Sequence, residues 1–197
     1  MGDQKFPRKK YSTPRHPWEK ERIDQEKEVL TKYGLKNKRE LWKSESMLAS
    51  FRVQARNLQA KLRYQDPTAE KQLRNIVQRL NRYNILGLNA TLDDILSLKI
   101  DNILERRLQT MVFRKNLART QKQARQLITH GHIVVGERRI TLPGLLVEAS
   151  MESSISYDPA SPLSDELHPL RQLPQKQQDS GSGESNKPAN ENEGDAE

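Results

Sequence analysis

Two histidines flank a glycine in the stretch TQKQARQLITHGHIVVGERRI, residues 120–140: His130, Gly131 and His132. Imidazoles at this spacing suit metal ligation or proton transfer. Neither chemistry finds its remaining parts. The chain has four histidines and no cysteine, and His16 and His168 fall in segments expected to be flexible, so a four-ligand zinc site is not expected. A catalytic pair needs a nucleophile or an orienting carboxylate, and the near neighbours are Gln, Thr and Arg. Positive charge surrounds the pair instead: Arg119, Lys122, Arg125, Arg138 and Arg139. The remaining chemistry is anion binding, with imidazole donors facing a phosphate backbone. The plainer alternative is two polar, partly exposed residues at a bend.

Such a bend needs elements to hold it. Thr120 with Gln123 three residues on reads as a capping box opening a short helix, with Ala124, Leu127 and Ile128 inward. Gly131 falls where a left-handed glycine closes a helix. His132–Val135 is strand-like, Gly136-Glu137 a tight turn, and Arg138–Ile140 a returning strand. Pro143-Gly144 turns again, with Leu145–Val147 as a third strand and Ile155–Tyr157 as a last one. The helix start offers backbone N–H groups to phosphate, and Lys122 and Arg125 lie on its outer face. Before it, Ile100, Ile103, Leu104, Leu108, Met111 and Val112 form one helical stripe.

The front of the chain is helical in pattern. Pro17 suits a helix start, and Gly34 ends that helix. Asn37 with Glu40 resembles a capping box for the next, whose apolar stripe is Leu41, Leu48, Phe51, Ala55, Leu58 and Leu62. Arg52, Arg56 and Arg63 run beside that stripe, and cations outnumber acids several-fold over residues 36–64, unlike a salt-bridged face. Asp66 and Pro67 mark a third helix with Leu73, Ile76, Val77 and Leu80 inward. Residues 1–16 form a basic arm interleaved with aromatics that can order on RNA.

Charge supports a polyanionic partner. Residues 158–197 hold nine acids against three Lys or Arg, a net of −6, which leaves +14 on residues 1–157 of a chain whose total is +8. A body so basic repels itself unless a polyanion neutralises it. Nucleic acid fits better than a membrane surface, because no isolated amphipathic helix carries a strong aromatic face. The absence of an apolar leader, of a run near 20 apolar residues and of cysteine leads us to expect a soluble intracellular protein. No long recognition helix or half-site symmetry suggests DNA, so structured RNA is the expected partner.

The stretch LERRLQTMVFRKNLARTQKQARQLITHGHIVVGERRI, residues 104–140, closely resembles the RNA-binding module named after small-subunit ribosomal protein number four. KKYSTPRHPWEKERIDQEKEVLTKYGLKNKRELW and TLDDILSLKIDNILERRLQT resemble the archaeal and eukaryotic branch of that family, so the likeness covers roughly residues 3–157. Bacterial members often carry a cysteine zinc knuckle; this chain has none. The resemblance implies an α+β protein: an N-terminal helical domain and a small helix-turn-strand RNA-binding module with a short β-sheet; the acidic C-terminal tail lies outside the shared pattern and reads as disordered from its Pro-, Ser-, Gln-, Asn- and Gly-rich composition. The corresponding boundaries are a basic arm at 1–16, a helical rRNA-binding domain at 17–103 packing with 150–157, the module at 104–149, and the tail at 158–197.

The resemblance further implies a structural, non-catalytic component of the small ribosomal subunit in the cytoplasm, with no cofactor, no metal and no membrane partner. It implies early binding to the 5′ domain of the small-subunit rRNA and a place beside the channel through which messenger RNA enters. Contact with the neighbouring small-subunit ribosomal protein number five and a contribution to translational accuracy follow from the same likeness. Candidate RNA contacts are Lys9, Lys10, Tyr11 and Arg15 in the arm, and Arg52, Arg56 and Arg63 on the second helix. Around the bend they are Arg119, Thr120, Lys122, Gln123, Arg125, Gln126, His130, Gly131, His132, Arg138 and Arg139. Replacing Arg125 with Ala is expected to lower the salt dependence of binding. The same module occurs in pseudouridine synthases and some aminoacyl-tRNA synthetases, but no phosphate-cradling glycine loop or catalytic constellation accompanies it here. A substoichiometric ribosome-rescue or RNA-chaperone protein is the other alternative.

Overall fold

The computed structural model describes residues 9–165, 168, 169 and 171. Helix α1 spans Lys20–Lys32. Pro17 is not in its first turn but in a separate turn with Trp18. Arg22 explains the offset: its guanidinium donates to the carbonyl oxygens of His16 at 2.7 Å and Pro17 at 3.0 Å, holding that turn against the helix start. The helix ends at Gly34, as its position suggested, with φ of +58°. An added Cβ there would lie 2.7 Å from Gln121 Cβ, so the site demands glycine for packing as well as conformation.

Helix α2, Lys38–Arg63, buries Leu41, Leu48, Phe51, Ala55 and Leu58 on the expected stripe, with Leu62 half-buried at its end. Asn37 occupies the N-cap position but makes no side-chain cap: the Glu40 N–H donates to the Asn37 carbonyl at 3.1 Å, and the Glu40 carboxylate is turned to Arg107. A buried carboxylate fastens α1 to α2: Glu26 accepts from Arg22 and Lys38, each at 2.8 Å, and from the Trp42 indole at 3.2 Å. Helix α3, Pro67–Arg82, starts as its sequence suggested, with Asp66 Oδ1 accepting from the Thr68 N–H at 2.9 Å. It buries Ala69, Ile76, Val77 and Leu80 against α2. The short helix α4, Leu92–Ser97, opens with a full Thr91–Asp94 capping box.

The stripe from Ile100 to Val112 divides into two helices, α5 at Ile100–Glu105 and α6 at Leu108–Arg114. The break has a partner. Leu108 N–H donates to the Leu145 carbonyl at 2.7 Å, and Val147 N–H donates to the Arg106 carbonyl at 2.9 Å. Residues 145–147 thus bridge to the helix break through Arg107 and Leu146, and they do not form the expected third strand of the sheet. After α7, Gln121–Thr129, strand β1 (Ile133–Val135) lies between β2 (Arg138–Arg139) and β3 (Ile155–Tyr157), with both pairings antiparallel. Helix α8, Ala149–Glu152, precedes β3.

Two apolar cores result. One fills the helical half around Leu48, Leu80, Ile95 and Ile103; the other joins α6, α7 and the sheet around Leu108, Val112, Ile128 and Ile133. A small seam of Tyr33, Leu41 and Leu104 meets the helical core through Ile100. Among the described residues, no helix is long and apolar enough to cross a membrane.

Two expected boundaries change. Ile155–Tyr157 belongs to the module's sheet, since the edge of β1 left open by β2 needs a strand, and Ile155 joins the module's core rather than that of the helical half. Order also continues past 157. Asp158 and Ser161 are buried, and Pro162–Ser164 form a 3₁₀ turn that places Leu163, 6% exposed, in the module's core. The acidic tail expected from 158 therefore does not begin there; its later part, 172–197, lies outside the described residues. Replacing Leu163 with Ala is expected to lower the unfolding free energy by about 2–4 kcal/mol in urea titrations, the usual effect of emptying a core leucine site. A change below about 0.5 kcal/mol would assign residues 158–165 back to the tail.

Candidate nucleic-acid interface

Among the contacts that join the basic module to the helical half, one carboxylate takes two guanidinium groups. Glu40, on the first turn of α2, accepts from Arg107 at 2.8 Å and from both terminal nitrogens of Arg125, at 2.5 and 3.1 Å. Arg107 is 6% exposed in its side chain, Glu40 19% and Arg125 21%. Buried Gln109 extends the junction. Its amide nitrogen lies within 3.1 Å of the carbonyl oxygens of Tyr33, Gly34 and Gln121, and its amide oxygen accepts from Arg125 at 3.3 Å. Burial pushes the Glu40 carboxyl up, but hydrogen bonds and charge from Arg125 and Arg107 outweigh it and hold the group below its ordinary range.

This network reassigns Arg125. Read from sequence as a phosphate contact, its guanidinium is turned inward along α7 to Glu40, 85 residues earlier. The sequence presented Glu40 as part of a helix cap and gave Gln109 no role, and both roles were missed.

The start of α7 is built largely as expected. Thr120 Oγ accepts from the Gln123 N–H at 3.1 Å. The return bond shifts by one residue: Gln123 Oε1 accepts from the Arg119 N–H at 2.7 Å rather than from Thr120. Lys122 and Gln126 are exposed on the outer face, and Lys122 makes no ion pair among the described residues. Arg119 is exposed and donates to the Pro169 carbonyl at 3.1 Å, beside the helix start.

At the bend, Gly131 has φ of +77°, the left-handed conformation its position implied. Its missing side chain also admits Arg139, whose Cδ would lie 2.9 Å from an added Cβ. The rings of His130 and His132 lie nearly parallel, 6.3 Å apart. His132 Nδ1 is 2.8 Å from Ser161 Oγ and is engaged in holding the 158–165 segment, while His130 is exposed. Arg139 is likewise engaged: its Nε donates to Asp158 at 2.8 Å. The Ala160 N–H and that guanidinium together hold the Asp158 carboxyl below its ordinary range. Arg138, next to it on β2, is exposed and unpaired among the described residues.

In the helical half, Arg52 donates to the Leu98 carbonyl at 2.6 Å, fixing the junction between α4 and α5 instead of facing outward. Arg56 and Arg63 are exposed without ion pairs among the described residues, and Arg15 is too. In the arm, Tyr11 packs on Trp42 with ring centroids 6.0 Å apart, under the Lys9 ammonium at 4.7 Å. Tyr11 is therefore half-buried on α2, and Lys10 is exposed beside it. The sequence-predicted set thus divides. Lys10, Arg15, Arg56, Arg63, Lys122, Gln126, His130 and Arg138 stay exposed, Arg52, Arg125 and His132 hold the fold, and Arg139 does both, pairing with Asp158 while its side chain stays 57% exposed.

A capped helix start, a left-handed bend and a basic hairpin, fixed to a helical body whose cations face outward, define an RNA-binding class of protein. Residues 106–153 match the S4 domain. The chain is 66% identical to small ribosomal subunit protein uS4 of Picrophilus torridus over 171 residues, 87% of this chain and 93% of that protein. It is 64% identical to the uS4 of Thermoplasma acidophilum over 172 residues (87% and 86%), and 53% identical to that of Methanococcus aeolicus over 172 residues (87% and 96%). The chain belongs to the uS4 family of small-subunit ribosomal proteins, a structural rather than enzymatic family of the cytoplasmic ribosome.

Replacing Glu40 with Gln leaves buried Arg107 without a countercharge and is expected to lower stability by about 3 kcal/mol at pH 7. Because the folded carboxyl titrates below its ordinary value of 4.5, the wild type's advantage is full above that value and fades as pH falls through the folded pKa. Urea unfolding of both proteins at pH 7 and near pH 3 checks this. An advantage that persists undiminished in acid would show that the pair does not carry the difference.

Proposed function

We propose that this protein clamps a folded junction in the 5′ domain of the small-subunit rRNA early in assembly. The helical half and the S4 domain bind the same RNA, favouring one arrangement by differential affinity. The reading rests on family membership and on one structural observation: exposed cations remain on both halves, while a half-buried carboxylate joins the halves. Phosphate contacts supply affinity through counterion release. The start of α7 adds directed N–H donors beside Lys122.

In this reading the mature protein lies by the channel through which messenger RNA enters, beside small-subunit ribosomal protein number five, and contributes to translational accuracy. It does so by fixing RNA shape, with no bond made or broken. Lys10, Arg15, Arg56, Arg63, Lys122 and Arg138 are the residues proposed to meet phosphate.

The test is a salt titration of binding to a transcribed 5′ domain, with an unrelated rRNA fragment of equal length as competitor. Lys122→Ala and Arg138→Ala are each expected to reduce the log–log slope by roughly 0.7–0.9, one phosphate contact each. Arg125→Ala is expected to act on unfolding rather than on slope. Wild-type slopes in both surface variants, or equal affinity for the competitor, would reject the proposed surface.

A further inference from the structure

Beside the Glu40 junction the two halves leave a groove of about 600 Å³. Residues of α2 from Lys43 to Gln54 line it, together with the Pro143-Gly144 turn, Leu146 and, from the arm, Lys10. Its chemistry is of two kinds. Met47, 41% exposed, with Phe51 and Leu146 gives it apolar surface. Ser50 and Gln54 are exposed on the next turns of α2, with the Gln54 amide donating to the Ser50 hydroxyl at 3.1 Å.

The charge is one-sided. Lys10, Lys43, Arg79, Arg107 and Arg125 line the groove against one carboxylate, Glu40, a net of +4. Glu40 is engaged by Arg107 and Arg125. Lys10, Lys43 and Arg79 have no carboxylate partner among the described residues, and Arg79 lies over the Phe51 ring at 5.6 Å. A surface that only tracks duplex phosphates needs cations on an open face. Apolar surface in a concavity, with unmatched cations around it, calls for a ligand with a flat apolar face and an anion close by. A nucleotide turned out of the RNA stack has both.

We propose that this groove receives one unstacked RNA nucleotide. Its base packs on Met47 and Leu146 with its polar edge toward Ser50 and Gln54, and its flanking phosphates meet Lys43 and Arg79. The inference rests on the RNA-binding reading above and adds a site for a single base where the two halves meet.

The experiment uses the full chain and small-subunit rRNA transcribed from the source organism. Ser50→Leu fills the groove without altering charge at an exposed helical position. It is expected to weaken binding by about ten-fold, the scale of one lost base contact, and to lower the salt slope by no more than the contacts of Lys43 and Arg79. Ser50→Ala, which keeps the space open, is expected to stay within about three-fold of wild type. A benzoylphenylalanine photocrosslinker at position 47 is expected to join one nucleotide of the bound RNA. Wild-type affinity for Ser50→Leu, or crosslinks scattered over many nucleotides or made to an acidic peptide of a neighbouring protein, would overturn the groove assignment. If Lys122→Ala and Arg138→Ala still lower the slope, only the groove inference falls; if they do not, the RNA-binding surface falls with it.

Discussion

Glu40 holds two guanidinium groups from the far side of the molecule, and the relation between the helical half and the S4 domain depends on that arrangement. Arg107 marks the break between α5 and α6, and Arg125 lies on α7, so one carboxylate on α2 fixes both helices around the module's entrance. Gln109 adds donors to three carbonyl oxygens from the end of α1 and the start of α7. A buried ion pair often adds little net stability over an apolar substitute, while loss of one partner is costly. Its value here lies in geometry. An apolar seam of Tyr33, Leu41 and Leu104 permits several sliding arrangements, whereas a bidentate carboxylate and a saturated amide permit one. Two cationic surfaces held at a fixed spacing can both meet one folded RNA.

The same logic recurs at the bend. Gly131 lets the backbone turn and lets Arg139 pass, and Arg139 then reaches Asp158. His132 reaches Ser161. Both residues belong to the segment after β3, which places Leu163 in the core. The histidine pair that first suggested chemistry is thus half structural. His132 fastens a strap across the sheet, and His130 beside it is exposed.

Much of this was legible in the sequence, and the pattern of success has a physical cause. Local rules act within a few residues, so Asp66 before Pro67, the left-handed Gly34 and Gly131, and the stripe of α2 could be read directly. The misreadings each involve a partner far along the chain. Glu40 reads as a cap because its actual partners are 67 and 85 residues away. The stripe from Ile100 to Val112 reads as one helix because residues 145–147, which take its middle carbonyl and amide, carry no sign of that pairing. Arg52, Arg56 and Arg63 are equivalent by type and face, yet only Arg52 finds a carbonyl, that of Leu98. The residues 158–165 read as tail because composition reports mean polarity, whereas Leu163 in the core and the bonds of Asp158 and Ser161 anchor them.

That last distinction bears on how net charge should be used. Residues 1–157 carry +14, but this is not the number of phosphates the protein can neutralise. Arg107 and Arg125 answer Glu40, Arg22 and Lys38 answer Glu26, Arg106 answers Glu152, and Arg139 answers Asp158. A cation already paired with an internal carboxylate has less charge to offer a phosphate, so such pairs add less to counterion release than unpaired cations do. Cations without an internal partner contribute most to the salt dependence, because they draw condensed ions off the RNA. Lys10, Arg15, Arg56, Arg63, Lys122 and Arg138 lie on several separate elements and on both halves. A salt slope near the number of such residues would mean that both halves engage one RNA at once. A slope matching only the cations of the helical half and arm, or only Lys122 and Arg138, would mean that one half binds alone, and the Glu40 junction would then serve folding without serving the clamp.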